Sequence, residues 1–209
     1  MRVVVRLRPS KDSAVTCEAH VGTNISTTSK DGSKAESYEF DAVLGLDATQ
    51  REAYFTCGLP MLEAALDGQR ACLFAYGQTG SGKTFSLLGA EGGKNPHKLD
   101  GIVPQICSEL FRRFAALESM GIKYNMHASF VEVHNEYVRD LIDDPDQYGN
   151  QPYLKVITRD KHGNCGTEAL ESCRARVPSS RALTKLIEDA LARRVTDDNN
   201  YNEHSSRSH

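Results

Sequence analysis

The alternation of apolar and polar positions divides the chain into short strand-like runs and longer helix-like segments. Runs rich in β-branched or aromatic residues predict strands at residues 2–9, 38–44, 71–76 and 124–142, and a strand with a hairpin at 153–166. Residues 71–76 are apolar throughout, which is typical of a central strand. Residues 22–34 are polar and predict a loop or a hairpin tip.

Helices are predicted where apolar residues recur every three or four positions, at residues 49–66, 102–119 and 179–195. Gly68 ends the first helix, and Ser179 or Ser180 caps the third. The first helix would bury one face, formed by Ala53, Cys57, Leu59, Leu62 and Leu66. Because strands and helices alternate, we expect an α/β fold with a mostly parallel or mixed sheet, in one domain over residues 1–209.

Composition argues against several classes of protein. The net charge of the 209 residues is -3, which is not the strongly basic balance of a nucleic-acid-binding protein. No apolar run approaches the length of a membrane span, and Met1 is followed at once by a strand-like run, so we expect a cytosolic protein without a signal peptide. No C-x-x-C pair is present, which favours buried free thiols in a reducing compartment. The cysteines are Cys17, Cys57, Cys72, Cys107, Cys165 and Cys173.

One motif carries specific chemistry. Residues 77–84, GQTGSGKT, fit G-x-x-x-x-G-K-[ST] at every fixed position, between an apolar run and a helix start. Glycines let backbone N–H groups surround a phosphate chain, Lys83 supplies a mobile cation, and Thr84 supplies a hydroxyl for Mg²⁺. The motif predicts a P-loop nucleotide-binding site. It does not separate nucleotide kinases, GTPases, helicases and motors from one another.

Several stretches, from about residue 3 to the last residue, together resemble the kinesin motor domains. GQTGSGKT preceded by FAY is similar to the kinesin phosphate loop, and VRLRP resembles the family's adenine-pocket motif. YEFDAVL with TQREAYF, and FVEVHNEYVRDLI, resemble two further segments of the family. NEHSSRSH, at 202–209, resembles switch I, N-x-x-S-S-R-S-H, and is the most specific of these stretches. The resemblance implies a P-loop NTPase fold, a central sheet flanked by helices on both faces.

The resemblance also implies three groups of residues that would contact ATP and Mg²⁺. The phosphate cradle would comprise Gln78, Thr79, Gly80, Ser81 and Gly82, with Lys83 and Thr84. The adenine pocket would comprise Arg6, Arg8 and Pro9, with Tyr76 or His97 nearby. Switch I would supply Asn202 and Ser205 to position the attacking water, Ser206 to join Thr84 at Mg²⁺, and Arg207 to pair with a glutamate of switch II.

Parts of the family pattern are missing from this sequence. Neither switch II, D-x-x-G-x-E, nor the main tubulin-binding helix and neck linker is found, so we expect the N-terminal part of a motor head with an open sheet edge. Asn199 stands where threonine is usual, and Asp197 and Asp198 add negative charge, which leaves room for slower or tuned hydrolysis. Apart from the resemblance, residues 196–209 have the composition of a solvated tail.

The implied function is that of a microtubule-based motor ATPase on the cytoplasmic cytoskeleton, with tubulin as partner and no nucleic acid or membrane insertion. One alternative is a nucleotide-gated microtubule-binding module with weak or no hydrolysis; another is an unrelated P-loop enzyme such as a small-molecule kinase. A hairpin resembles the family's smaller tubulin-contacting loop, although an ordinary charged hairpin explains it equally; its basic residues are Lys155, Arg159, Lys161 and His162. The oligomeric state stays open, because the coiled coil through which a full-length kinesin would dimerise is absent.

Overall fold

A computed structural model describes residues 1–9, 15–19, 23–29, 35–90, 100–134, 137–144, 153–159, 165–170 and 173–194. The chain divides into two compact units, Met1–Gly92 with Lys98–Ile106, and Gly93–His97 with Cys107–His209. The glycine-rich stretch at 91–99, the tip of the predicted hairpin at 160–164 and the switch I stretch at 202–209 lie outside the described residues. No helix among the described residues has both the length and the apolarity needed to cross a bilayer.

The first unit contains two small sheets. Its strands are β1 (Val4–Arg6), β2 (Val15–Ala19), β3 (Asn24–Ser29), β4 (Ala35–Glu39) and β5 (Ala42–Leu44). β1 and β5 pair in parallel, with Val5 opposite Val43, while β2, β3 and β4 form an antiparallel meander. The predicted mixed α/β fold is confirmed, although parallel pairing among the described strands is limited to β1 and β5.

Two sequence predictions for this unit are wrong. The stretch 22–34 is not all loop, because it contains β3, whose Ile25 is 6% exposed and whose threonines favour strands. The predicted single strand 38–44 is divided between β4 and β5, because the chain passes from one sheet to the other. At this crossing the Phe40 N–H donates to the Thr23 carbonyl at 2.8 Å, and the Asp41 N–H donates to the Val3 carbonyl at 3.1 Å.

The predicted helix at 49–66 is confirmed in extent, but it contains a wider turn. It consists of α1 (Gln50–Ala53), a π-helical turn (Tyr54–Gly58) and α2 (Leu59–Leu66). Thr49 caps α1, since its Oγ1 accepts from the Glu52 N–H at 3.1 Å while the Glu52 carboxylate accepts from the Thr49 N–H at 2.7 Å. Of the predicted buried face, Ala53 and Leu62 are buried, whereas Leu66, the last residue of α2, is exposed.

The prediction of a central strand at 71–76 is wrong for the described structure. This segment has no regular structure, and Phe74 and Tyr76 are 81% and 91% exposed. A strand requires a neighbour that supplies ladder hydrogen bonds, and none of the described strands pairs with this segment. Cys72 is exposed with it, so the prediction of buried thiols fails there, whereas Cys107 is buried, and burial raises the pKa of its thiol to about 11.

Two further helices follow residues 77–84. They are α3 (Lys83–Leu88) and α4 (Ile102–Ser119), and α4 continues into the second unit. The second unit then contains β6 (His127–Ala128), β7 (Val131–His134), β8 (Tyr137–Asp140), β9 (Tyr153–Arg159), β10 (Cys165–Leu170), β11 (Ala175–Arg176) and α5 (Ser180–Ala192). β7, β8, β9 and β10 form one antiparallel sheet, and β6 pairs with β11. The predicted strand 124–142 is therefore three strands, while the strand and hairpin at 153–166, the helix at 102–119 and the Ser179 cap of α5 are confirmed.

A buried carboxylate organises the turn after β8. Asp140 is 1% exposed, and its two oxygens accept from three backbone N–H groups, those of Ile142 at 2.7 Å, Asp143 at 3.1 Å and Cys173 at 2.5 Å. Arg193, which caps the end of α5, donates to the carbonyls of the same turn, those of Leu141 at 3.2 Å, Ile142 at 2.7 Å and Asp143 at 2.9 Å. The turn thus has its N–H groups paired by an anion and its carbonyls paired by a cation.

We expect Asp140→Asn to lower the free energy of unfolding by about 2–3 kcal/mol, because the amide keeps one acceptor oxygen and turns an NH₂ group toward buried N–H donors. The matched control is Asp189→Asn on the exposed surface of α5, where the pair with Lys185 contributes about 0.5 kcal/mol or less. Urea titrations of both variants measure the difference. Equal losses in the two variants would contradict the role given to Asp140.

Candidate nucleotide-binding site

Residues 77–84 form a tight turn that leads into α3. Gly80 and Gly82 have φ angles of 79° and 99°, backbone conformations that strain any residue with a Cβ. The Ser81 N–H donates to the Gln78 carbonyl at 3.1 Å and closes the turn, whose tip is exposed. Gly82, a fixed position of the motif, is therefore also required by the backbone of this turn, and Gly80 adopts a left-handed conformation at a position that the motif leaves free.

Lys83 is the first residue of α3, and its side chain folds back over the loop. Its Nζ donates to the carbonyls of Gly77 at 2.8 Å and Gln78 at 2.9 Å. A phosphate chain lying in the loop would offer the same ammonium group oxygens that carry negative charge, and these are stronger acceptors than carbonyls. Thr84, the next residue, is half-buried. The cation and the hydroxyl predicted from the motif thus stand side by side where the loop becomes a helix.

Arg8 brings the end of the N-terminal strand against the phosphate loop. Its Nη1 donates to the Gly80 carbonyl, and a Cβ placed on Gly82 would lie 4.0 Å from the Arg8 Cδ. Pro9 is exposed beside it in the chain. Two of the three residues that the resemblance assigns to the adenine are therefore exposed, and one of them, Arg8, contacts the loop.

Arg6, the third of these residues, is engaged with protein groups. Its Nη1 donates to the Gln50 Oε1 at 2.7 Å and to the Ser86 Oγ at 3.1 Å, and its Nη2 donates to the Ala48 carbonyl at 3.1 Å. The guanidinium carbon also lies 5.1 Å from the centre of the Phe85 ring, within the range of a cation–π contact. Arg6 therefore links β1, the start of α1 and the middle of α3.

Gln50 extends this link. Its side chain is largely buried, at 8% exposure, and its Nε2 donates to the Phe85 carbonyl at 2.6 Å while its Oε1 accepts from Arg6. Its own carbonyl accepts from the Gln105 Nε2 at 3.2 Å. Both ends of the amide are thus paired, which fixes its orientation and makes the contact with α3 directional.

The charge at this link is held in a partly buried place. Burial lowers the pKa of the Arg6 guanidinium, and the Asp100 carboxylate opposes that shift. Burial raises the pKa of the neighbouring Cys57 thiol, which Arg2 and Arg6 oppose. Because an arginine ordinarily loses its proton only far above neutral pH, Arg6 stays a cation at pH 7 and its fork remains a donor to all its partners.

The far end of α3 is fixed by close backbone packing. A Cβ on Gly101, which is buried just before α4, would lie 2.5 Å from the Gly89 nitrogen, the Leu87 oxygen and the Leu88 carbonyl carbon. Gly89 ends α3 with a φ of 108°. Only a residue without a side chain at position 101 leaves room for α3 to end where it does.

The structure brings together the loop, Lys83, Thr84 and Arg8, among the residues predicted from sequence. Four predicted switch I residues lie outside the described residues, namely Asn202, Ser205, Ser206 and Arg207. His97 also lies outside them. Sequence reasoning missed the contacts of Gln50, Ser86 and Gly101 with this site. Gln50 belongs to the stretch TQREAYF, but nothing in its spacing signals a contact with a helix more than thirty residues later.

A glycine-rich turn followed by a helix whose first residue is lysine, within a mixed α/β fold, defines a P-loop nucleotide-binding protein. The family model of the kinesin motor domain matches residues 6–209, and the chain belongs to this family.

Individual relatives agree with this assignment. The chain is 34% identical over 181 residues to the kinesin-like protein KIN-14M of Arabidopsis thaliana, covering 84% of this chain and 24% of that protein. It is 31% identical over 222 residues to the kinesin-like protein unc-104 of Caenorhabditis elegans, covering 100% of this chain and 13% of that protein. A solved KIF14 dimer with AMP-PNP on a microtubule is 28% identical with a TM-score of 0.85, and covers 100% of this chain and 58% of that one.

We expect Gly101→Ala to lower the free energy of unfolding by about 3 kcal/mol, because the new methyl group meets backbone atoms that cannot turn aside. The matched control is Gly68→Ala, whose φ of 83° costs about 1 kcal/mol of strain but whose Cβ meets nothing within 4 Å. Urea unfolding measures the totals, and hydrogen exchange at the Gly89 amide reports the end of α3. A Gly101→Ala protein as stable as the Gly68→Ala protein would contradict the packing described.

Proposed function

We propose that this chain carries the nucleotide-binding part of a microtubule-based motor, which binds and hydrolyses Mg·ATP to drive movement. The observation that supports it most strongly is the loop at 77–84, with two left-handed glycines and Lys83 folded over its carbonyls. Membership of the kinesin motor domain family supports the hydrolysis. Because the chain spans 13–24% of the two curated relatives and 58% of the solved KIF14 chain, activity belongs to the whole motor.

The phosphate loop would do most of the binding. The backbone of Gln78, Thr79, Gly80, Ser81 and Gly82 would surround the phosphates, and Lys83 would exchange its two carbonyl acceptors for β- and γ-phosphate oxygens. Arg8 and Pro9, both of which are exposed, would contact the adenine. Binding therefore depends on the backbone shape of the turn and on one mobile cation, both of which the described residues supply.

The oxygen donors of the site suit Mg²⁺. This ion prefers oxygen ligands and keeps part of its water shell, so protein hydroxyl groups, phosphate oxygens and retained waters together complete its coordination. Thr84, half-buried in the first turn of α3, would be one ligand, and Ser206 of switch I would be the other. When bound, Mg²⁺ would neutralise charge on the β- and γ-phosphates.

Switch I would sense the γ-phosphate. Asn202 and Ser205 would position a water for in-line attack, and Arg207 would pair with a glutamate of switch II in the complete motor. Hydrolysis at such a site relies on positioning and electrostatics rather than on a covalent intermediate. Loss of the γ-phosphate would release the switch and change microtubule affinity.

Tubulin is the proposed partner, and the cytoplasmic microtubule network is the proposed location. The solved KIF14 relatives were obtained with a microtubule, one with AMP-PNP and one with ADP. Dimerisation of the full-length motor through a coiled coil outside this chain is part of the same proposal.

We expect Lys83→Ala to lower kcat/KM for ATP by roughly 10²-fold or more, because the variant loses the cation that stabilises the transferred phosphoryl group. Lys185→Ala, which removes an exposed lysine paired with Asp189 on α5, serves as the control. Steady-state ATPase assays compare them. Normal hydrolysis by the Lys83→Ala protein would show that the site is elsewhere.

We expect the motor to sediment with microtubules more completely in AMP-PNP than in ADP, and microtubules to raise its ATPase rate, because the γ-phosphate orders the switches. Binding without a raised ATPase rate would favour the nucleotide-gated module instead. Equal sedimentation with microtubules in AMP-PNP and in ADP would contradict coupling between nucleotide binding and microtubule binding.

A further inference from the structure

The helix α3, which follows the phosphate loop, has no fully buried apolar face to hold it in place. α3 has six residues, from Lys83 to Leu88, and none of them is buried. A helix this short is marginal by itself, and most helices are held by an apolar face that packs into the core. Because Leu87 and Leu88 are only half-buried, polar contacts and close backbone packing contribute much of what sets the position of its first turn.

The described polar contacts with the middle of α3 come from Arg6 and Gln50. The Gln50 amide donates to the Phe85 carbonyl at 2.6 Å, and the Arg6 fork reaches the Ser86 hydroxyl at 3.1 Å and lies over the Phe85 ring. Arg6 and Gln50 also bind each other at 2.7 Å. The two side chains therefore act on α3 as one connected unit, which is attached to β1 through Arg6 and to α1 through Gln50.

These contacts are next to the phosphate-binding residues in the chain. Phe85 and Ser86 directly follow Lys83 and Thr84 in the same helix. The Ser86 N–H donates to the Gly82 carbonyl at 2.8 Å, so a shift at Ser86 is passed to the last glycine of the loop. In sites that act by positioning, a displacement of about 1 Å can cost up to roughly 10²-fold in rate.

We infer that Arg6 and Gln50 are positioning residues, which hold α3 so that Lys83 and Thr84 meet the phosphates of a bound nucleotide. This inference rests on the proposed nucleotide-binding function and assigns Arg6 a different role from the adenine contact that the family resemblance implies. The Arg6 fork is occupied by Gln50, Ser86 and Ala48, which leaves Arg8 and Pro9 for the base.

The two roles for Arg6 predict different nucleotide preferences. A residue that positions the phosphate loop affects every nucleoside diphosphate alike, whatever its base. A residue that contacts adenine contributes to discrimination between adenine and guanine, so its loss changes the ratio of the two affinities. The ratio of dissociation constants for ADP and GDP therefore separates positioning from base recognition.

The test uses Arg6→Lys and Gln50→Glu. Lysine keeps the charge of Arg6 but cannot bridge its three acceptors, and glutamate keeps the shape of Gln50 but loses the donor to the Phe85 carbonyl. Arg2→Lys is the matched control, because Arg2 precedes the same strand and donates to a carbonyl, that of Thr56 at 2.9 Å, in the π-helical turn rather than in α3. Fluorescent ADP and GDP are titrated at a temperature where circular dichroism shows every variant folded.

We expect both test variants to raise the dissociation constants for ADP and GDP by the same factor, about tenfold, so that the ratio of the two constants is unchanged. The Arg2→Lys protein should bind both nucleotides as the wild type does. Faster hydrogen exchange at the Ser86 amide in both variants would accompany the loss. Wild-type affinity in Arg6→Lys and Gln50→Glu overturns the inference, and so does a changed ratio in Arg6→Lys alone. A wild-type protein that binds neither nucleotide overturns the proposed function as well, and the titration of the unmutated protein makes that case distinct.

Discussion

The site depends on one constraint: a short helix must be held at a fixed place although none of its residues is fully buried. Two sets of contacts meet this constraint. The Arg6–Gln50 pair holds the middle of α3 through directional hydrogen bonds, and the backbone of Gly101 packs against the last residues of α3 and Gly89. Directional hydrogen bonds define the position of a helix more narrowly than the packing of half-buried side chains can, which suits a site whose chemistry relies on positioning.

The loop itself combines backbone conformations that only glycine adopts without strain with satisfied hydrogen bonds. Gly80 and Gly82 hold left-handed backbone conformations, and Lys83 and Arg8 donate to carbonyls of the loop. The segment that precedes it contrasts with this order, since Phe74 and Tyr76 are exposed and none of the described strands pairs with residues 71–76. The described contacts that fix the loop therefore come from its helix side and from the N-terminal strand, rather than from the apolar run that leads into it.

Local patterns predicted the elements that local physics decides. The helix at 102–119, the Ser179 cap and the hairpin around β9 and β10 follow from periodicity and capping chemistry, and the structure confirms them. The predicted strand at 71–76 failed because strand formation depends on a partner that an apolar run cannot specify by itself. The phosphate loop could be predicted because its residue types are fixed by one short turn. The roles of Gln50 and Gly101 could not be predicted, because they arise from contacts with a helix distant in sequence.

The central claim is that this chain recognises a nucleotide chiefly through its phosphates. Isothermal titration with adenosine, AMP, ADP and ATP in the presence of Mg²⁺ tests it most directly. The account predicts weak or no binding of adenosine and AMP and a steep gain in affinity on adding the β-phosphate, because the loop backbone and Lys83 act on the phosphate chain. Adenosine that binds as tightly as ADP would contradict it.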